Sequence, residues 1–426
     1  MAPISSAQLA IIKATVPVLQ SHGESITTTM YNNMIKSHPA MKDIFSHTSQ
    51  ITGAQPRALA RAVLAYATYI DDLPKLTHAI ERIAQKHASL FIQPGQYDIV
   101  GGHLIGAIQE VLGDAIATPA VVDAWTAAYG ILAQVFIGRE QQLYAADGNW
   151  TGWRKFRIAR KVVEAEDIAS FYLEPVDGVA PLPTFLPGQY ISLQVPVPQL
   201  GHLQSRQFSL SHWTAGGGRQ YRVTVKREKE RCGSGSGDKS SVVGLVSNLL
   251  HESYAEGDTV DLSHPHGEFF LDPSDASKAG APVILISAGV GATPLLSILH
   301  ALHAQQPSAV VERPVSWVHT SRSSAAQPFA EEVASVLQKM EGRAVTHVHL
   351  RQGLSDDNGH NSKMPRLDVS TLDREATLFL QDRRAEYYVC GPESFMLDTR
   401  KKLVEMGVDK ERVFLELFAT GDVEDD

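Results

Sequence analysis

The hydrophobic pattern of this chain changes period twice, and each period admits a different kind of element. Up to about residue 146, apolar residues recur at helical spacing, as in LARAVLAYATYI with Leu64, Tyr69 and Ile70. Breaks fall at SHP, TG, LP, QPG and ATP, where proline and glycine interrupt the run. Ser5 or Ser6 suits the cap of the first helix, and Pro94 with Gly95 is expected to end the helix that carries His87. After AADGNWTGW the pattern turns to short β-branched and aromatic runs: FRIARKVVEA, ASFYLEPV, GQYISLQV, RQFSLS and QYRVTVKRE. About six runs of this kind, divided by Gly and Pro turns, predict a small antiparallel barrel. From APVILISAGVGATPLLSILHAL onward, the apolar strands VILIS, VSWVHT, THVHL, EYYVC and VFLELF alternate with helical segments, which is the pattern of a parallel α/β sheet. The expected architecture is multidomain: an all-α domain over 1–147, an antiparallel β-barrel over 153–274 and an α/β parallel-sheet domain over 280–426.

A length of 426 residues exceeds one hydrophobic core and agrees with two or three domains. The net charge of -9 argues against a general binder of nucleic acid or anionic membranes, so small molecules are the expected partners. Cys232 and Cys390, the only two cysteines, sit in unlike contexts and form neither a disulfide framework nor a CxxC motif, which fits a reducing compartment. MAPISSAQLAIIKATVPVL lacks a basic leader region and a continuous apolar block, and no segment reads as long enough to cross a bilayer. A cytoplasmic protein without stable membrane insertion is therefore expected; a monomer is expected as well. EKERCGSGSGDKSS, at 228–241, reads as a flexible surface loop that exposes Cys232 as a free thiol.

In SAGVGATP, at 287–294, Gly289 and Gly291 stand at a strand-to-helix turn. Glycines there let a pyrophosphate approach the backbone, and the helix N-terminus offers it free N–H groups; taken alone, the motif fits a plain tight turn equally well. RQFS at 206–209 closes a strand, and GLVSNLL at 244–250 opens a helix with Gly244, Val246 and Ser247 in its first turn. PHGEFFL and YYVCGPESFM follow. The ordered set RxFS, GxVSxxL, PxGxF, GVGxTP, CGP and a terminal aromatic resembles the ferredoxin-NADP reductase family. That resemblance implies an FAD-binding barrel followed by an NAD(P)H-binding α/β domain. It assigns Arg206, Gln207, Phe208 and Ser209 to flavin phosphate and ring, with Tyr190 packing near the flavin. It also assigns Gly289, Val290, Gly291, Ala292, Thr293 and Pro294 to the nicotinamide nucleotide phosphates, and Cys390, Gly391 and Pro392 to the nicotinamide pocket. Leu417, Phe418, Ala419 and Thr420 stand where the family covers the flavin ring. Phe208 replaces the usual tyrosine of that motif and loses a hydroxyl, LFAT stands where many relatives have FGP, and the Gly/Ser loop looks inserted. Arg322, just after a strand, suits either a 2'-phosphate or a solvated loop.

His87 lies in IERIAQKHASLFIQ, an amphipathic helix in which a lone histidine is more often a packing residue than a ligand. His78, His103 and His38 are equally eligible by spacing, and the chain has no HxxxH or HExxH. The surrounding pattern, IAQKHASLFIQPGQYDIVGGHL with TTTMYNNMI, MKDIFS, TGAQPRALARAV and YGILAQVFIGREQQLY, resembles the globin domain of flavohaemoglobins. That family joins a globin to such a reductase in this order, so the resemblance covers nearly the whole chain. It implies haem b with His87 as the iron ligand, Tyr97 and Glu140 as its hydrogen-bonded network, and Lys86 as a neighbour associated with tuning. On the distal side it implies Tyr31, Gln55 and Leu59, with Phe45 packing on the haem.

The activity that the resemblance implies is nitric oxide dioxygenase: NAD(P)H reduces FAD, FAD reduces haem iron, and oxygen-bound ferrous haem converts nitric oxide to nitrate. Two alternatives stand beside it. One is a haem/flavin reductase acting on other electron acceptors; the other is an oxygen or nitric oxide sensor or carrier, for which no signalling module is visible. Lipids and azole-type molecules are further candidate ligands of the haem pocket.

Overall fold

The structure is a computed structural model that describes residues 4–146, 148, 150, 152–228, 244–304, 312–340, 342–351 and 366–417. The first part is helical: α1 (Ser6–Ala14), α2 (Val16–Ser37), α3 (His47–Ile51), α4 (Ala54–Thr68), α5 (Thr77–Ser89), α6 (Pro94–Ile116) and α7 (Pro119–Ala146). Ser5 caps α1 through a reciprocal pair: Gln8 N donates to Ser5 Oγ at 3.2 Å, and Ser5 N donates to Gln8 Oε1 at 3.0 Å. Helix boundaries fall at the proline and glycine breaks, with one correction. Pro94 does not end the helix of His87; it occupies the first turn of α6, where its missing N–H costs nothing. The chain leaves α5 through Leu90 and then Phe91, whose φ of 55° no helix can continue.

α2 packs against α4 and α6 and buries Ile26, Met30 and Met34 between them. α6 and α7 are long and apolar enough to cross a membrane by length and composition, contrary to the reading of the sequence. In the fold both contribute buried residues to the helical core, Leu104 and Ile108 from α6 and Trp125 and Ala128 from α7.

The next strands are β1 (Arg154–Ala165), β2 (Ile168–Pro175), β3 (Tyr190–Val197), β4 (His202–Ser209) and β5 (Tyr221–Lys226); α8 (Leu245–Glu252) and the short β6 (Thr259–Leu262) follow. They form one sheet in the order β4-β3-β6-β1-β2-β5. Antiparallel registers such as Ile158↔Leu173 and Phe171↔Val223 place the buried Phe156, Ile158, Phe171, Leu173 and Val223 inward. A bridge from Leu210, just past β4, to Val223 draws the sheet towards the expected barrel.

The remainder alternates β7 (Val283–Ala288), α9 (Ala292–Ala304), β8 (Val315–Ser321), α10 (Ala330–Lys339), β9 (Ala344–Leu350), β10 (Glu386–Cys390), α11 (Glu393–Glu405) and β11 (Val413–Glu416). All pairings are parallel, in the order β11-β10-β7-β8-β9. Helices cover the faces of such a sheet, which is why β7 reads as an unbroken apolar run.

By contact density the chain divides into Met1–Arg154 with Ser192–Arg206, and Lys155–Ile191 with Gln207–Phe418. Within the first unit, Gln204 Nε2 donates to the carbonyls of Lys42 (3.0 Å) and Phe45 (3.2 Å), and its Oε1 accepts from His47 N at 2.9 Å. Ser192 Oγ donates to Ser89 Oγ at 2.8 Å in the same unit.

The α6–α7 crossing depends on a missing side chain. A Cβ on Gly101 would lie 2.4 Å from Cε1 of Tyr129, whose hydroxyl is held by a 2.6 Å bond to the carbonyl of Tyr97. Gly101→Ala is expected to destabilise the helical domain by about 1–3 kcal/mol through overpacking. Urea denaturation followed by helical circular dichroism checks this, and an unchanged midpoint would mean that the Tyr129 ring swings aside freely.

Candidate functional site

His87 stands in the last turn of α5, where its own carbonyl accepts from Leu90 N (3.0 Å) and Ile92 N (3.1 Å) and fixes the chain's exit. Its imidazole is 31% exposed although the adjacent Ala84 and Ala88 are fully buried. Nδ1 lies 2.8 Å from Tyr97 OH and 2.8 Å from Glu140 Oε1, and Tyr97 OH donates to the same carboxylate oxygen at 2.5 Å. Glu140 comes from α7, where it is 2% exposed. Phe136, one turn earlier, stacks on Tyr97. Burial first, and the adjacent Glu140 second, push the Tyr97 hydroxyl pKa up, so the phenol keeps its proton. Tyr97 spends that proton on Glu140, and a carboxylate has only acceptors, so Nδ1 must be the donor to Glu140. The tautomer then leaves Nε2 with a lone pair, which is the form of histidine that binds a metal.

Tyr31 is buried on α2, and burial pushes its hydroxyl up to about 12 against a smaller opposing effect of Gln55. Gln55 Nε2 donates to the phenolic oxygen at 3.2 Å. Among the described residues no acceptor takes the phenolic hydrogen, so Tyr31 holds an unused donor. The Phe45 ring meets Tyr31 edge-on, with centroids 5.1 Å apart. Leu59 and Gln55 lie one turn apart on α4, as their spacing predicts, and Leu59 packs on the core that holds Tyr31. Lys86 is half-buried on α5. The chemistry of the donor set fits a haem: an imidazole left with a lone pair on Nε2 and, in the same helical unit, a neutral buried O–H.

β4 carries Arg206, Gln207, Phe208 and Ser209. Desolvation lowers the Arg206 guanidinium pKa to about 10, and its only hydrogen bond among the described residues goes to Ser205 O at 2.7 Å. Ser209 Oγ is buried with no hydrogen-bond partner among the described residues. A desolvated cation and an orphaned hydroxyl on one strand suit a phosphate-bearing cofactor such as FAD. Tyr190 N donates to His266 O at 2.9 Å and accepts the return bond from His266 N at 2.8 Å. Its ring lies over Gly267, where φ is 123° and a Cβ would come within 3.0 Å of that ring. α8 begins at Gly244 without a side-chain cap, with Val246 and Ser247 buried in its first turn. A Cβ on Gly244 would lie 2.6 Å from that of Glu228, so this turn tolerates no side chain.

The strand order reverses direction between β7 and β10, and both turns singled out in the sequence leave the sheet there. In open α/β sheets that crevice is where ligands bind. A Cβ on Gly291 would lie 2.3 Å from Cys390 O, and one on Gly391 would lie 2.9 Å from Ala288 Cβ. The two turns touch backbone to backbone. Gly289, with φ 55°, opens the turn, and Thr293 Oγ1 donates back to Val290 O at 3.0 Å, while Ala292, Thr293 and Pro294 are buried at the start of α9. Cys390 is fully buried and its thiol pKa is pushed well up by burial, so its role there is shape and not nucleophilicity. Pro392 caps α11. Arg322 is exposed and lies 3.5 Å from the Asp167 carboxylate, which leaves the dinucleotide as NAD(P)H.

Leu417 is half-buried; Phe418, Ala419, Thr420 and Cys232 lie outside the described residues, as does the Gly/Ser loop beyond Glu228. Sequence reasoning missed Tyr129, which holds the Tyr97 backbone, and Gln204, which is 1% exposed and ties β4 to the segment around Phe45. A glutamine at an inward position of a strand was the available signal for the second.

Comparison with known proteins agrees with this layout. The family model described as Globin matches residues 28–136, and that of the oxidoreductase NAD-binding domain matches 285–401. The flavohemoprotein of Bordetella pertussis is 42% identical over 419 residues, 97% of this chain and 98% of that one. Flavohemoprotein A of Dictyostelium discoideum is 41% identical over 424 residues, 97% and 98% of the two chains. Among solved structures, the flavohemoglobin of Malassezia yamatoensis, determined with bound FAD and heme, superposes with a TM-score of 0.80 at 32% identity, covering 98% of this chain and 100% of that one. The FAD/NAD-binding domain of a nitric oxide dioxygenase from Vibrio cholerae has a TM-score of 0.50 at 36% identity and covers 62% and 98%. With relatives of 41–42% identity matched over 97% of its length, the chain belongs to the flavohaemoglobin family.

Proposed function

We propose that this oxidoreductase is a nitric oxide dioxygenase driven by NAD(P)H, and that it removes nitric oxide in the cytoplasm as a monomer. The observation that carries the reading is the O–H of Tyr31, which has no acceptor among the described residues, together with an imidazole in the same helical domain whose Nδ1 is committed to Glu140. The name of the Vibrio cholerae relative, whose reductase half is 36% identical, supports the same activity. The working modules are 1–147 for haem b, 153–274 for FAD and 280–426 for NAD(P)H. Bound there, the nicotinamide would supply a hydride, the flavin would divide its two electrons, and the haem would use one of them for each nitric oxide and dioxygen converted to nitrate.

The residues have distinct tasks. Nε2 of His87 would hold the iron, and Glu140, by accepting the Nδ1 proton, would give the ring imidazolate character and make it a stronger electron donor. Tyr97 fixes the carboxylate in that pose. Tyr31 presents a neutral donor towards developing negative charge, and its raised pKa keeps the proton on oxygen throughout the physiological range. Gln55 holds the phenol by its oxygen, while Phe45 and Leu59 present apolar surface suited to a small apolar substrate and to the lipid or azole ligands expected there. On the reductase side, Arg206 and Ser209 hold the flavin, with Gln207, Phe208 and Tyr190 beside its ring. The turns of Gly244, Gly289–Gly291 and Cys390–Pro392 receive phosphates and nicotinamide.

The reading is tested by reducing the purified protein anaerobically with NADH or NADPH, then measuring nitric oxide loss and nitrate formation on adding oxygen. Nucleotide-dependent conversion is expected; nitric oxide loss that ignores the nucleotide would sink the proposal, and electron flow to quinones or ferric chelates in its place would favour the general reductase.

Tyr31→Phe removes one hydrogen bond of about 1–1.5 kcal/mol, so oxygen dissociation in flash photolysis is expected to accelerate about tenfold. An unchanged rate would remove Tyr31 from its task. Glu140→Gln keeps the shape but ends the pull on Nδ1; the haem midpoint potential is expected to rise and nitric oxide turnover to fall, with flavin reduction by the nucleotide unaffected. An unmoved potential in redox titration would reduce Glu140 to a packing role.

A further inference from the structure

Three side chains outside the proposed machinery converge within the reductase unit. His212 follows β4, His300 lies on α9 and Glu332 begins α10; one ligand atom from each lies within 4.8 Å of the others. His300 Nε2 is 3.0 Å and His212 Nδ1 3.9 Å from Glu332 Oε1. The two rings meet edge-on with centroids 4.5 Å apart. We propose that His212, His300 and Glu332 form a binding site for a borderline-soft divalent cation of the Zn2+ type, tying the segment after β4 to α9 and α10.

The geometry fits that chemistry. Bonds of about 2.0–2.1 Å to nitrogen and oxygen in a tetrahedron place neighbouring donors about 3.3–3.4 Å apart, between the two separations observed. Two imidazoles and one carboxylate leave the fourth position to water. The carboxylate is prepared for a single metal bond. Arg222, 4% exposed, takes Oε2 at 2.8 Å and is itself fixed by Ser211, to whose carbonyl it donates at 2.6 Å and to whose Oγ at 3.0 Å. That leaves Oε1 facing both imidazoles. Burial alone would raise the Glu332 carboxyl; the imidazoles of His212 and His300 and the Arg222 guanidinium outweigh burial and hold it well below the usual carboxylate range. Burial pushes His300 down, which keeps its ring neutral and able to coordinate.

Without a cation the cluster is incomplete as a hydrogen-bond network. The 3.9 Å from His212 Nδ1 to Oε1 is too long for a hydrogen bond. A cation would use the gap between His212 and Glu332. With three protein ligands and the positive Arg222 close by, affinity is expected in the micromolar range and not tighter.

The test is calorimetric titration of Zn2+ into the full chain, loaded with its cofactors and treated with chelator, beside His212→Ala and Glu332→Gln. His212 is 48% exposed in its side chain, so its removal leaves the Arg222–Glu332–His300 contacts intact and controls for misfolding. One micromolar site is expected in the parent chain, weakened about tenfold or more in both variants. The melting temperature should rise with Zn2+ in the parent and stay still in His212→Ala. The other close imidazole pairs, His38 with His103, His47 with His202 and His264 with His266, are the rival Zn2+ sites. Unchanged stoichiometry and affinity in His212→Ala, or loss of the site in His103→Ala, His202→Ala or His264→Ala instead, would overturn the proposal.

Discussion

A carboxylate buried to 2% exposure sets the geometry of the helical domain. Taking an ion of that size out of water costs several kcal/mol unless charge-assisted hydrogen bonds offset it. Glu140 finds those bonds on two other helices, at Tyr97 of α6 and His87 of α5. Sliding α7 by one turn, about 5.4 Å, would strand the charge among apolar side chains. Tyr97 is gripped twice by α7, through its hydroxyl by Glu140 and through its carbonyl by Tyr129. α4 is tied to the same helix by the Tyr66 hydroxyl, which donates to Ala128 O at 2.9 Å. The helix that sets the polarity of His87 thereby also locates the helix that carries Gln55 and Leu59.

The parallel sheet meets a different constraint, that of close backbone approach. Where the strand order reverses, the Gly291 turn and the Cys390 carbonyl occupy space that any Cβ would need. Substituting either glycine would force the crevice open and carry the first N–H groups of α9 away from the neighbouring turn. Buried strands on both sides hold the two turns at that distance, and a buried ion pair at the far end of β10 reinforces the register. Arg313 Nη2 lies 2.6 Å from Glu386, whose other oxygen is 2.7 Å from Lys278 Nζ.

What could be read beforehand follows how local each signal is. Period and turn chemistry located nearly every helix and most strands, because both depend on neighbours a few residues away. Pro94 was read as a terminator because proline is excluded from helix interiors and welcome in first turns, and the one-dimensional pattern does not separate the two. β6 went unnoticed, being four residues long with an exposed end. His87 had no local mark at all; its partners stand ten and fifty-three residues away, and only family resemblance joined them before the fold did. The same holds for Gln204, and for His212, His300 and Glu332, whose meeting is a product of topology alone.

Unsatisfied buried polar atoms are commonly taken as pointers to ligands, and this chain shows what the inference requires. Ser209 Oγ lacks a partner among the described residues, but so do Ser297 Oγ and Ser316 Oγ, which sit within α9 and β8. The difference lies in the surroundings. Ser209 ends a strand three residues from a desolvated guanidinium, whereas Ser297 and Ser316 are enclosed by apolar packing within their elements. A lone orphaned hydroxyl costs about 1–3 kcal/mol and can be a tolerated defect. A desolvated guanidinium whose one hydrogen bond among the described residues goes to a backbone carbonyl is a larger liability, and the simplest compensation is an anion that arrives with the cofactor. By the same reasoning the Tyr31 hydrogen, without an acceptor among the described residues, gains its meaning from the His87–Glu140 pair in the same helical unit.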